Sequence, residues 1–382
     1  DDLCRHFDMR VAVVHEWLAS HAGSEKVVEQ ILQLYPDADL FSLVDFLSAE
    51  QRHFIGHRAV QTSFIQRLPW AKRVFRQYLP LMPLAVEQFN LAAYDVVISS
   101  NHAVAKGVLT GPHQLHISYV HTPIRYAWDL QHQYLQQAGL ERGPKGALTR
   151  LILHYLRLWD TTSANRVDRF VANSQFVAKR IWRAYRRPAT VIYPPVDVSR
   201  FEWQQTRDDF YLTVSRFVPY KRVDLTVAAF NQLGLPLVVI GDGSDWQRIK
   251  TMAGPTIRLL GKQPDEVVAD YMQRCKGFIF PAEEDFGITP VEAQAAGAPV
   301  IALGRGGVAE TVIHGKTGVL FSEQTVDSLV QAVKSFDMGM YELNRGNLRR
   351  QAEKFSIECF RTQFHECVEQ TYTGFLRGNP LE

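Results

Sequence analysis

Short apolar runs rich in β-branched residues alternate with helical patterns along the whole chain, and this constrains the fold most. In the first half the runs are 10–15, 39–44, 94–100, 116–121, 169–173 and 190–193. In the second half they are 210–215, 236–240, 256–260, 277–281, 299–302 and 318–321. Stretches such as Val11-Ala-Val-Val and Leu237-Val-Val-Ile offer apolar side chains to both faces, as a central parallel strand does when helices cover both sides. Strands alternating with helices predict βαβ units and doubly wound sheets, so the fold class is α/β. The step Tyr193-Pro-Pro-Val-Asp197 continues neither strand nor helix and separates two such series. With 382 residues, two domains fit better than one core. The expected domains are 9–193, 194–355, and a C-terminal helical segment 356–382 with apolar spacing at Phe360, Phe364 and Val368.

Composition narrows the function classes. The four cysteines, Cys4, Cys275, Cys359 and Cys367, form no Cys-x-x-Cys pair, which argues against a disulfide framework or a zinc site. No apolar run reaches the roughly 18 residues a membrane-spanning helix needs. The apolar stretch after Met9 is short for a signal peptide, and residues 1–8 read as an appended stretch before a natural start. A cytoplasmic location follows, with peripheral attachment to the inner face of the membrane as a further option. Residues 1–195 hold 22 Lys+Arg against 16 Asp+Glu, and residues 196–382 hold 20 against 24. A basic half fits an anionic lipid or phosphorylated acceptor; a chance imbalance on solvated faces fits as well. No nucleic-acid partner is expected.

In doubly wound folds, ligands bind where loops follow the carboxyl ends of the strands. The sharpest such loop is Glu284-Asp-Phe-Gly-Ile-Thr-Pro-Val-Glu292, where two carboxylates bracket a glycine loop and a helix start. Its amides and helix dipole suit an anion, and its carboxylates suit sugar hydroxyls. Arg216 and Lys221 share the turn after the first strand of the second half, where fixed cations stabilise a departing diphosphate. Gly304-Arg-Gly306-Gly307 adds a loop that lets backbone approach phosphate closely. In the first half, Val14-His15-Glu16-Trp17 leads into His21-Ala-Gly23-Ser24-Glu25, a small-residue loop before a helix that Ser24 is expected to cap. It is not a G-x-G-x-x-G, which argues against a dinucleotide-dependent oxidoreductase. His121, at a strand's carboxyl end before Thr-Pro-Ile-Arg125-Tyr-Ala-Trp128-Asp129, is placed to hydrogen-bond a sugar. Asp37-Ala-Asp39 reads as a turn beside Pro36, and no group of residues has metal-ligand spacing. No metal and no cofactor are expected.

Together these stretches resemble the retaining family 4 glycosyltransferases of GT-B fold, over nearly the whole chain from Met9. The motifs are the E-x7-E of Glu284 and Glu292, Ser-Arg-x3-Tyr-Lys-Arg at 215–222, and His-Thr-Pro-x-Arg-Tyr-Ala-Trp-Asp at 121–129. The resemblance implies two Rossmann-like domains with facing parallel sheets and an interdomain cleft, and a C-terminal helix that crosses back to the first domain. It implies Glu284 beside the donor sugar, Glu292 on the ribose, Arg216 and Lys221 on the diphosphate, and His121 on the transferred sugar. The amides of Phe286, Gly287 and Ile288 would hold sugar or phosphate, Gly306 and Gly307 would approach the donor, and Gly23 would let its loop close over it. Many such enzymes have Gly-Gly there, whereas this chain reads Ala22-Gly23-Ser24. The 121–129 motif looks most like bacterial mannosyltransferases of polysaccharide and glycolipid synthesis, which implies GDP-mannose; UDP-sugars are the next reading. An epimerase or a non-catalytic nucleotide-sugar protein would share the fold.

The expected acceptor is a glycan or lipid-linked glycan against the first half, with His102, Lys106, Arg125, Trp128 and Asp129 as candidate contacts. Residues 64–76 are basic and aromatic in alternation. They read either as an interfacial segment or as a helix packed on its own domain. No first-half carboxylate stands out as a nucleophile for double displacement, so front-face attack, with the departing diphosphate taking the acceptor's proton, is the expected mechanism.

Overall fold

A computed structural model describes residues 9–204 and 206–378; Cys4 and the stretch 1–8 lie outside them. The chain divides into two compact units. One comprises 9–193 together with 361–378, and the other Pro194–Phe360.

Among the described residues the first unit carries seven strands: β1 (Val11–His15), β2 (Asp39–Ser42), β3 (Val60–Thr62), β4 (Val96–Asn101), β5 (Leu115–Val120), β6 (Arg169–Ala172) and β7 (Thr190–Val191). All pair in parallel in the order β3-β2-β1-β4-β5-β6-β7. Every residue of β1, β4 and β5 is buried, as expected of runs covered on both faces. Edge strand β3 escapes the sequence reading because its Val-Gln-Thr is short and largely exposed. Helix Ile357–Leu376 enters this unit from Arg361 onward. There Arg361 Nε donates to Gln30 Oε1 at 2.8 Å, and Phe364 lies edge-on to Tyr119.

The second unit's six strands are β8 (Tyr211–Val214), β9 (Leu237–Ile240), β10 (Ile257–Gly261), β11 (Gly277–Phe280), β12 (Val300–Leu303) and β13 (Gly318–Phe321). They are parallel in the order β10-β9-β8-β11-β12-β13. Each order runs outward from a central pair whose strands are not consecutive, β1 and β4 or β8 and β11. This is the doubly wound pattern, and its reversal point is where such sheets bind ligands. A core of Phe217, Phe230, Val239, Ile279, Ile301 and Leu329 fills the space between sheet and helices. Burying each such side chain is worth about 1.5–3 kcal/mol.

Candidate active site

In the first unit the reversal point gathers imidazoles. Register places His15 opposite Ser100 and Asn101 opposite Val120, so the carboxyl ends of β1, β4 and β5 meet. His15 is wholly buried, with Nδ1 3.1 Å from Ser100 Oγ, and Ser100 Oγ lies 2.9 Å from His121 Nε2. His102 sits between them, its ring 6.2 Å from that of His15 and 6.4 Å from that of His121, with its edge against Trp17. Burial, reinforced by the neighbouring imidazoles, pushes the His121 pKa well below its ordinary value. Burial also lowers that of His102. Both rings are therefore neutral near pH 7, suited to hydrogen-bond hydroxyls rather than to pair with anions.

The loop after β4 is held from beneath. Buried Glu16 accepts at Oε1 from the backbone N–H groups of His102, Ala103, Val104 and Ala105 at 2.7–3.0 Å. Its Oε2 accepts from Val104 at 3.0 Å. This nest of amides would attract an anion, and the chain fills it with its own carboxylate. Nothing around Glu16 in the sequence signals that role.

The helix after β1 begins at Gly23, and Ser24 does not cap it. Glu25 instead reaches back to the Ala22 N–H at 3.1 Å and takes the Ser24 hydroxyl at 3.0 Å. Burial alone would raise the Glu25 pKa. The hydrogen bond from His15, with the Glu25 backbone amide and the Ser24 hydroxyl, outweighs that and holds it at about 2.

Lys106 requires a correction. The sequence places it among acceptor contacts, but it is wholly buried, with Nζ 2.5 Å from Asp160 Oδ1, 3.0 Å from the Asp160 carbonyl and 2.9 Å from Ser163 Oγ. An ammonium spent this way cannot meet an acceptor. Trp128 shares the network, its indole N–H donating to Asp160 Oδ2 at 2.8 Å. Asp129 is half-exposed and takes Arg180 Nη2 at 2.5 Å. Trp128 and Asp129 line a cavity of about 460 Å³ with Pro123, Phe176, Lys179, Arg180 and Arg183. Arg125 is half-buried in the turn between His121 and that cavity's wall.

In the second unit the turn after β8 brings Lys221 Nζ into an ion pair with Glu284 Oε1, both side chains partly exposed. Arg216 is exposed and donates to the Tyr220 hydroxyl at 3.1 Å. Glu292 is buried in helix Ile288–Ala295 and accepts from Arg200 Nη2 at 3.1 Å. Gly287 precedes that helix at φ +83°, a left-handed conformation that glycine adopts without cost. Phe286 is buried edge-on to Phe355, and Ile288 opens the helix half-buried. Gly306 and Gly307 pack against backbone of this same loop. A Cβ on Gly306 would meet the Glu284 carbonyl at 2.3 Å, and one on Gly307 the Phe286 Cα at 2.4 Å. The Gly307 N–H donates to that Glu284 carbonyl at 2.8 Å. Both glycines therefore position Glu284. The sequence reading missed Gly241, which closes against the Ser215 carbonyl, and Arg200, whose partner lies 92 positions away. Among the described residues no group of three or more His, Cys, Asp or Glu side chains is arranged to hold a metal ion. Nor is any helix there long and apolar enough to cross a membrane.

Residues 197–353 match the family described as Glycosyl transferases group 1, and residues 23–200 match Glycosyltransferase Family 4. An uncharacterized glycosyltransferase of Methanocaldococcus jannaschii is 29% identical over 171 residues, 44% of this chain and 48% of that protein. A GDP-mannose-dependent alpha-(1-6)-phosphatidylinositol monomannoside mannosyltransferase of Mycobacterium tuberculosis is 27% identical over 192 residues, 42% of this chain and 50% of that protein. The chain thus spans about half the length of these relatives. Among solved structures, Anabaena HepE in complex with UDP superposes with a TM-score of 0.69 at 18% identity, covering 95% of this chain and all of that one. That likeness concerns the fold.

Proposed function

We propose, for a chain that belongs to the group 1 and family 4 glycosyltransferases and has their GT-B fold, that it transfers a hexose from a nucleoside-diphosphate sugar with retention of configuration. Mannose from GDP-mannose is the donor we favour, and the acceptor is a glycan or lipid-linked glycan. The observation that carries the reading is the Lys221–Glu284 pair, flanked by exposed Arg216 and by Glu292 on the following helix. It puts cations suited to a developing diphosphate next to a carboxylate suited to sugar hydroxyls. In this reading Arg216 and Lys221 carry the leaving-group charge without a metal, and the departing diphosphate takes the acceptor's proton. His121 contacts the transferred sugar, the amides of Phe286, Gly287 and Ile288 hold the donor, and the loop at Gly23 closes over it. The cavity at Trp128 and Asp129, rimmed by Lys179, Arg180 and Arg183, suits an acceptor with an apolar and an anionic part.

The M. tuberculosis relative's GDP-mannose dependence supports mannose. The UDP bound by Anabaena HepE supports a UDP-sugar as the second reading. Peripheral contact with anionic lipid also fits. Trp70 is 73% exposed in a left-handed turn at φ +62°, beside Lys72 and Arg73.

Thermal shifts with GDP, UDP, ADP and their sugar conjugates test the donor. A ligand at 100 times its Kd stabilises by about 2.7 kcal/mol. A selective shift with GDP and GDP-mannose is expected. Selectivity for UDP-sugars would discard mannose, and no shift with any nucleotide would discard the reading. Donor turnover without acceptor would favour an epimerase instead.

A further inference from the structure

We propose that Glu25, His15 and Ser100 form a hydrogen-bonded chain that fixes His121 as its Nε2–H tautomer, leaving Nδ1 to accept a hydrogen bond from a ligand hydroxyl. The assignment of that hydroxyl to the transferred sugar rests on the function proposed above; the chain itself does not.

Four elements converge to build it: β1 supplies His15, helix Gly23–Leu34 supplies Glu25, β4 supplies Ser100, and the turn after β5 supplies His121. Its links are 3.5 Å from Glu25 Oε1 to His15 Nε2, 3.1 Å from His15 Nδ1 to Ser100 Oγ, and 2.9 Å from Ser100 Oγ to His121 Nε2. Direction follows from donor inventory. An ionised carboxylate only accepts, so His15 donates from Nε2. A neutral His15 ring has only that proton, so in the proposed chain its Nδ1 accepts. Ser100 must then donate its one proton to His15 Nδ1, and its lone pair accepts from His121 Nε2–H. A neutral His121 has no second proton, so Nδ1 is an acceptor.

Glu25 is anchored for this task. Its other oxygen is held by the Ala22 N–H and the Ser24 hydroxyl, so Oε1 is left facing His15. The Asn173 side-chain amide donates to the His121 carbonyl at 3.0 Å and fixes the backbone that carries the ring. Burial keeps His121 from taking a second proton near pH 7, which preserves the chain's direction. A merely satisfied polar core would leave the two tautomers of His121 close in energy; a chain ending on a carboxylate does not. Glu25, His15 and Ser100 are positioning residues, acting on a ligand only through His121.

Nitrogen-15 spectra of the histidine-labelled full chain, recorded without ligand, test this, with the His121 signals identified by their loss in His121→Gln. His121 is expected in the Nε2–H form in the unaltered protein, and as a mixture or the other tautomer in Ser100→Ala. An Nδ1–H form in the unaltered protein would overturn the proposal, as would a tautomer indifferent to Ser100→Ala. The first outcome needs only the assignment variant, His121→Gln, to fold, and does not depend on Ser100→Ala. Because no nucleotide is present, failure here stays distinct from failure of the donor assignment.

Discussion

Lys106→Met is the perturbation that most directly separates a buried structural cation from an acceptor contact. Methionine retains most of the side chain's length, so the loss is electrostatic and polar rather than a large cavity. The variant forfeits contacts of Nζ to Asp160 Oδ1 (2.5 Å), the Asp160 carbonyl (3.0 Å) and Ser163 Oγ (2.9 Å), and the approach of Nζ to the Trp159 and Tyr185 rings. Asp160, itself wholly buried, keeps two donors, Trp128 Nε1 at 2.8 Å and the Tyr185 hydroxyl at 2.9 Å, but loses its only ion-pair partner among the described residues. Removing one member of a buried pair costs about 3–5 kcal/mol, because the remaining charge is stranded. For a unit of this size each kcal/mol moves Tm by about 2–4 °C, so a fall of roughly 6–20 °C is expected by scanning calorimetry. Adding Asp160→Asn should recover part of the loss, since the amide oxygen can still accept from Trp128 or Tyr185 while the stranded charge disappears. A Lys106→Met protein within about 0.5 kcal/mol of the parent, the range of ordinary surface changes, would refute the burial argument.

The remaining predictions follow from other sites. Lys221→Ala should lower kcat roughly 10²-fold or more if Lys221 carries leaving-group charge, and near-parental turnover would remove it from that role; turnover abolished by EDTA and restored by manganese would likewise overturn the metal-free reading. His116 is buried between Ser99 Oγ and the Arg166 carbonyl, each 2.9 Å away. Burial chiefly, with the charges of Lys106 and Arg166, lowers its pKa from 6.5 to about 4. The unfolded chain therefore binds the proton first. Stability is fully present above pH 6.5 and falls by up to about 3 kcal/mol toward pH 4, and His116→Gln should flatten denaturant-measured stability across that window. Trp70→Ser should weaken co-flotation with anionic vesicles at moderate salt, and a parental protein that fails to float would remove the membrane contact.

The sequence by itself determined the two doubly wound sheets and the loops that follow their strands. A parallel strand covered on both faces must read as a continuous apolar run, as Val11-Ala-Val-Val does, and ligand-facing loops follow the carboxyl ends of such strands. That His121, Lys221 and Glu284 come after the carboxyl ends of strands was legible for that reason. The short, exposed strand β3 carries no such signal and was not. Only the tertiary structure decided how each polar side chain is used. Lys106 and Asp160 stand 54 positions apart, His15 and Ser100 85, and Glu16 and the amides it binds 86 to 89. A cation beside a polar loop looks alike in sequence whether it faces solvent or a carboxylate in the core, because desolvation is set by neighbours that folding brings from far along the chain. The same holds for Gly306 and Gly307. They read as phosphate-loop glycines, yet the approach that excludes a Cβ is to the Glu284–Phe286 backbone.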